Sequence, residues 1–229
     1  MQVREPQQDR GYARRDAVLT GAATVFEQYG YGQASLKQIG EVSGATIGSV
    51  YFYFPSKESI ALSVIEEQNR RTFAAMQDVS AAHRGVEALI HTSKSVADLL
   101  LTDVVVQAGI RLSLEQGTLS SPTAQFYRDW MDGLVPALQD ARDAGELATS
   151  LPLADLAQTL VPYFTGVHVV SKVLSARTDL YRDLRTMWHV IIPGIVAVDH
   201  RARLLELAAR TFTGPQRRAA TEAHSASVV

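Results

Sequence analysis

Apolar side chains recur at steps of three and four along almost all of this 229-residue chain, and only short polar, glycine or proline breaks separate the stretches that carry them. That period lays one apolar stripe along a helix, whereas a half-buried strand requires strict alternation. Strand signals, meaning alternating runs bounded by tight turns, are weak throughout. The pattern therefore predicts an all-α fold. An apolar content of 46% against 20% charge is enough to bury a sizeable core. The longest apolar runs, 99–106 and 190–198, are interrupted by Thr102, Asp103 and Pro193 and fall short of the roughly 20 residues a bilayer span requires, so no membrane segment is expected.

Between Ala13 and Tyr29 the residues Val18, Ala22, Val25, Phe26 and Tyr29 form one buried stripe, and Gly30 and Gly32 are expected to end that helix. Ser35 and Gln38 have the spacing of a capping box, opening a short helix through Ser43 with Leu36, Ile39 and Val42 turned inward. Gly44 interrupts, Thr46 caps a second short helix to about Phe54, and Pro55 stops it. Ser56 then caps a longer helix through Ile60, Val64 and Ile65 towards Met76, with Glu58 in its first turn. Beyond residue 80 the periodicity predicts helices over 86–101, 103–115, 123–144, 153–176 and 180 to about 210, the last broken near Pro193 or Gly194, with a break over 117–122. The small and polar tail, 214–229, is expected to be disordered.

The most informative segment is 35–57. Two short helices around a glycine-containing turn form the arrangement that lays a recognition helix in the major groove of duplex DNA. Gly40 and Gly44 permit a close crossing, Ile39 and Val50 are placed to pack between the helices, and Phe26 backs them. Thr46, Ile47, Gly48 and Ser49 are small enough for the second helix to approach base edges; Ile47 suits a thymine methyl, and Ser49 a base or a phosphate. Tyr51, Tyr53 and Lys57 lie near helix ends, where hydroxyls and amines reach phosphates. Charge adds nothing to this argument: the chain carries a net charge of −2, and residues 1–57 hold six Lys/Arg against five Asp/Glu. A plain helical hairpin with Tyr51 to Phe54 in its core is the competing reading, and the aromatic run before Pro55 with the capped helix bearing Lys57 tells against it.

The run Thr46-Ile-Gly-Ser-Val-Tyr-Phe-Tyr-Phe-Pro-Ser-Lys-Glu58, preceded by Phe26-Glu-Gln-Tyr-Gly-Tyr31, resembles the tetracycline-repressor (TetR) family of regulators over roughly Arg14 to Ile65. The resemblance implies that Tyr51 and Lys57 contact phosphate and that Thr46 to Ser49 face bases. Tyr53 stands where many members carry His, and Ile47 where a polar or basic residue is frequent, so the departures touch base preference and not fold.

The rest of the chain is similar to a narrower group, the γ-butyrolactone receptors of actinomycetes, at Val106-Gln-Ala-Gly-Ile-Arg-Leu112, Trp130, Thr159-Leu-Val161, Gly166, Val169-Val170 and Met187-Trp188. This resemblance implies a homodimeric repressor released from palindromic double-stranded operator DNA by a small hydrophobic lactone, butenolide or furan signal. It also implies that Trp130 packs against the ligand and that Gln68 is a polar pocket position. On spacing alone, Trp130 with Phe126, Tyr127, Leu134 and Leu138 is equally a core stripe. Thr165, amid Phe164, Val167 and Val169, either bonds back to its own helix or reaches a ligand. The last long helices carry more apolar residues than one internal face needs, which predicts a dimer surface with Tyr163, His168, Trp188 and His189 as candidates, unless these complete a larger monomer core.

Residues 1–57 are thus expected to form a three-helix helix-turn-helix DNA-binding domain, and 58–213 a helical-bundle domain for ligand binding and dimerisation. An enzyme is not expected: the six His are scattered without HExxH spacing, and neither a GxSxG elbow nor a glycine-rich phosphate loop occurs. With no Cys there is no disulfide framework or thiolate zinc site, and no cofactor or metal is expected. The polar start of the chain lacks a secretory pattern, which fits the cytoplasm. The expected function is repression of secondary-metabolite genes under such a signal; the alternatives are a TetR-type repressor of an efflux or detoxification gene answering an unrelated hydrophobic compound, and a helical bundle that does not bind DNA.

Overall fold

The computed structural model describes residues 6–115 and 120–213. Among them are ten helices and no strand: α1 Pro6–Gln33, α2 Leu36–Ser43, α3 Ile47–Tyr53, α4 Lys57–Ala82, α5 Gly85–Thr102, α6 Val104–Leu114, α7 Ser120–Asp143, α8 Leu153–Ser175, α9 Leu180–Ile195 and α10 Val198–Thr211. The all-α expectation is borne out. No helix among the described residues is long and apolar enough to cross a membrane. The tail at 214–229 and the start of the break expected over 117–122 lie outside the described residues.

Two apolar clusters fill the interior. The first joins Val18, Val25 and Phe26 of α1, Ile39 of α2, Val50 of α3 and Ile60 to Ile65 of α4; the second joins α5, α7, α8, α9 and α10 around Ile90, Leu100, Phe126, Leu184 and Ile192. Helix α6 lies between them and serves both, because side chains one residue apart point to different sides of a helix. Val105, Ala108 and Leu112 enter the first cluster, while Val106 and Ile110 enter the second. Helix α4 likewise passes from Ile60 in the first to Met76 in the second.

The two shared helices cross at Gly109 and Gln68. A Cβ added at Gly109 would stand 2.4 Å from Gln68 Cβ and 2.7 Å from its Cγ, so only hydrogen fits there. Charges reinforce the crossing. Arg71 donates to both oxygens of Asp103 at 2.9 and 2.8 Å, and Asp103 caps α6 by accepting from the backbone of Val105 and Val106. Glu67 accepts from Arg70 and Arg71, each at 2.7 to 2.8 Å. The bond from Arg70, aided by Arg71 and opposed by partial burial, holds the Glu67 carboxyl at about 2.

The first helix breaks at Gly30 (φ 73, ψ 173), as expected, and the chain makes one more turn beyond it, to Gln33. The kink is held from α6, where Glu115 accepts the Tyr31 backbone N–H at 2.8 Å and Arg111 donates to the Glu27 carbonyl. Two other local expectations need correction. Tyr29 is 39% exposed and Val42 52% exposed, so neither faces inward. In α2 the buried face centres on Ile39 and Gly40, and Val42 falls beyond its edge. The break expected at Pro193 or Gly194 comes later: α9 continues through both to Ile195, and Val196 turns extended to form an isolated bridge with Leu147.

Replacing Gly109 with Ala gains about 1 kcal/mol of helix propensity but drives a methyl into Gln68. Overpacking costs typically about 1–3 kcal/mol and occasionally more. The expected net effect is destabilisation, read as a drop of several degrees in Tm by circular dichroism; an unchanged or higher Tm would show that the crossing loosens freely.

Candidate functional site

The first candidate site is the outer face of α3, and its position follows from α2. The capping box is present, with Ser35 Oγ accepting from the Gln38 backbone and Gln38 Oε1 accepting from the Ser35 backbone. Gly44 is left-handed (φ 65), and the Ala45 N–H returns to the Gly40 carbonyl at 2.9 Å. A Cβ on Gly40 would sit 2.8 Å from the Ala45 oxygen, so glycine permits the turn to close. Thr46 caps α3 through the Ser49 backbone at 3.1 Å.

Val50 and Phe54, 0% and 3% exposed, anchor α3 inward, leaving Thr46, Ile47, Gly48, Tyr51 and Phe52 exposed and Ser49 and Tyr53 half-buried. Space beside Gly48 is open, since an added Cβ would meet nothing nearer than Thr46 Oγ1 at 4.0 Å. Phe52, 81% exposed and edge-on to Tyr53 at 5.1 Å, was not singled out by the sequence reading. Its offset from Val50 and Phe54, which alternate around it, was the available signal.

Lys57 is half-buried, and its ammonium spends two donors on the carbonyls of Tyr31 and Ala34, at 2.9 and 3.0 Å, while lying 4.5 Å over the Tyr31 ring. It thus ties the start of α4 to the segment after the α1 kink. An ammonium has three donors, so one is left. Arg15 lies 5.1 Å over the Phe54 ring, and exposed Lys37 forms a loose pair with Glu41 at 3.9 Å.

The second candidate site is a cavity in the larger cluster. Trp130 is only 4% exposed and stands among Phe126, Tyr127 and Phe164, with ring centroids 5.7, 6.3 and 5.6 Å away. With Ser93, Leu134, Phe164, Met187 and Trp188 it lines a small apolar space of about 30 Å³, room for about one water. Trp188 donates from Nε1 to Ser93 Oγ at 2.9 Å, whereas Trp130 Nε1 has no partner.

Gln68 and Thr165 do not line this space. Gln68 is fully buried at the α4–α6 crossing, donating to Thr72 Oγ1 at 3.1 Å with its Oε1 unpartnered, and Thr165 Oγ1 is also unpartnered. The structure therefore separates the three expected ligand residues into the cavity wall, the helix crossing and a flank of α8.

The expected dimer residues divide. Trp188 and His168 are 2% and 1% exposed and complete the monomer interior. Burial, with the nearby Arg177 charge, pushes the His168 imidazole down to about 3, so it is neutral. Tyr163 and His189 are exposed. Beside them stand Val170, Val173, Leu174 and Val190, 54%, 79%, 80% and 60% exposed, which make an apolar face along α8 and α9.

Comparison with known proteins fits this architecture. Residues 18–64 match the family model of bacterial regulatory proteins of the tetR family, and residues 83–197 match that of the tetracyclin repressor-like C-terminal domain. The chain is 32% identical over 179 residues to the A-factor receptor protein of Streptomyces griseus, a match covering 78% of this chain and 62% of that receptor's length. The fold is similar to CprB from Streptomyces coelicolor in complex with its operator sequence, with a TM-score of 0.76, 28% identity and coverage of 90% of this chain and 99% of the other. A γ-butyrolactone receptor described as ArpA-like gives a TM-score of 0.73 at 27% identity, covering 88% of this chain and 97% of the other. With both halves matched in the same order as the two apolar clusters, the chain belongs to the TetR family of regulators.

Proposed function

We propose that this chain is a ligand-responsive transcriptional repressor that binds palindromic operator DNA as a homodimer and is released by a small γ-butyrolactone, butenolide or furan signal, controlling secondary-metabolite genes in the cytoplasm. The observation that carries the reading is the division of α3 into a buried anchor, Val50 and Phe54, and an exposed face beginning at Thr46. Residues 1–57 act as the DNA-binding domain and 58–213 as the ligand-binding and dimerisation domain. The relatives support this reading, since one is an A-factor receptor and another is bound to its operator.

Thr46, Ile47, Gly48 and Ser49 meet base edges, and Tyr51, Tyr53 and the remaining donor of Lys57 meet phosphate. The apolar face of α8 and α9 pairs with its copy in a four-helix interface, setting the recognition helices about 34–36 Å apart to match successive major grooves.

The signal stacks on Trp130. A space of about 30 Å³ is too small for it, so entry parts the walls, and the unpartnered atoms of Trp130, Thr165 and Gln68 then find polar groups on the ligand. Each such orphan costs about 1–3 kcal/mol when left unmade. A ligand that binds only the opened form shifts the dimer away from the DNA-competent arrangement.

Tyr51→Phe removes one exposed hydroxyl and should weaken binding to all sequences alike. Ile47→Ala should instead change preference among sites, by about 1–3 kcal/mol per affected base pair. Gel shifts on the chain's own promoter and on a site library distinguish these; uniform weakening by Ile47→Ala would make it a packing residue, and full affinity in a Tyr51→Phe, Lys57→Ala double variant would remove the phosphate assignment.

Titrating alkyl γ-butyrolactones into the protein–DNA complex should release the parent but require about tenfold or more ligand for a folded, DNA-binding Trp130→Ala variant. Release of both at one concentration would make Trp130 purely core; no release by any lactone, butenolide or furan would remove the ligand class.

A further inference from the structure

Where α4 hands over to α5, three side chains with metal-binding atoms converge away from both sites described above. His83 caps the end of α4, fixed by its backbone N–H to the Val79 carbonyl at 2.9 Å. Glu87 and His91 follow on α5, four residues apart and so on one face. His83 Nδ1 and Glu87 Oε1 are 2.8 Å apart, and the His83 and His91 rings stack with centroids 3.9 Å apart and planes 16° from parallel. One ligand atom from each of the three lies within 4.8 Å of the others, and all three residues are half-buried.

We propose that His83, Glu87 and His91 bind a divalent transition-metal ion of the zinc class, with water completing four-coordination. The donor set excludes the hard cations, which prefer all-oxygen shells, and two imidazoles with one carboxylate suit zinc, cobalt or nickel. A tetrahedral zinc with legs of about 2.1 Å sets its donors about 3.4 Å from one another, so binding opens the 2.8 Å contact between His83 and Glu87, closes the wider distances, and turns the stacked rings until their in-plane lone pairs converge. The exposed side of the cluster opens on a groove lined by Asp78, Val79, Lys94 and Asp98, which gives the ion and its water an approach.

Neighbouring charges fix the carboxylate from its far side. Arg203 of α10 holds Glu87 through Oε2 at 3.2 Å, so Oε1 faces the rings. The same guanidinium donates to Glu146 Oε1 at 2.7 Å, and Glu146 Oε2 accepts from the Val86 backbone at the start of α5. Outer contacts of this type orient ligating carboxylates. Lys94, the nearest ammonium, is occupied by both oxygens of Asp98 at 2.6 and 2.7 Å. An ion here joins the end of α4 to α5 and, through Glu87 and Arg203, to α10.

The test is zinc binding by the tag-free full chain, measured by competition with a chromophoric chelator, with cobalt(II) as a second probe. The expected result is one equivalent per chain, visible cobalt bands of tetrahedral intensity, and a loss of at least about tenfold in affinity for His91→Ala and Glu87→Gln, a change at the lower end of what loss of an outer-shell partner alone causes. His200→Ala should bind as the parent does, and circular dichroism checks the helical content of each variant. Should His91→Ala fail to fold, His91→Gln and Glu87→Gln carry the test. The proposal is overturned if the parent takes up no stoichiometric zinc, if folded variants at these positions bind as tightly as the parent, or if His200→Ala weakens binding equally, the mark of an adventitious ion only.

Discussion

The contact between Gly109 and Gln68 sets the geometry of the whole molecule. Helices pack at 8–10 Å when ordinary side chains meet, and closer only where one partner contributes hydrogen. That close approach lets α6 sit between the two apolar clusters and feed Leu112 to one and Ile110 to the other. It also buries Gln68, whose Oε1 then has no partner, at a point where α4 has just left the first cluster. Arg71, Asp103 and Glu67 lock the crossing from its rim, and Arg111 and Glu115 extend α6's hold to the kink in α1. Lys172 of α8 adds a further tie by pairing with Glu27 of α1. A shift of α6 is therefore transmitted to α1 and α4 together, because interiors packed at crystal-like density do not absorb strain locally.

This arrangement bears on how a ligand in the larger cluster would act on the DNA-reading face. The cavity beside Trp130 has room for about one water, so a larger occupant must move its walls, and α5, α7, α8 and α9 all contribute to them. Of these, α5 leads directly into α6 through Asp103, which is both the last residue after α5 and the cap of α6. The proposed repressor thus needs no long chain of side chains between its two sites; the wall of one is continuous with the lever of the other.

Much of this was legible in the sequence wherever local chemistry decides the outcome. Ser35 with Gln38, Gly44, Thr46, Pro55 and Ser56 each specify a backbone state within a few residues, and α2, α3 and the start of α4 lie where those signals put them. What failed were assignments that depend on a partner distant in sequence. The break at Gly30 is local and legible, but the extra turn beyond it, held by Glu115 accepting the Tyr31 N–H, is not. Spacing left Trp188 and His168 open between a dimer surface and the monomer core, and Ser93 and the α8 packing take them inside. Val42 reads as inward because period alone does not say where a two-turn helix centres its buried face. The three histidine and carboxylate positions at 83, 87 and 91 were in plain view at four-residue steps, but the first belongs to a different helix from the other two, so a search for one helical motif passes over them.

The central claim is that α4 and α6 make one mechanical unit of the two clusters. Native-state hydrogen exchange in rising denaturant tests it without ligand or DNA, because it reports the free energy at which each segment opens. Amides of α4 beside the first cluster, at Ile60 to Ile65, and beside the second, at Thr72 to Met76, should merge into one opening together with those of α6 from Val105 to Leu112. If the first group exchanges through an opening that leaves the second fully protected, the clusters are separable units and the crossing does not couple them.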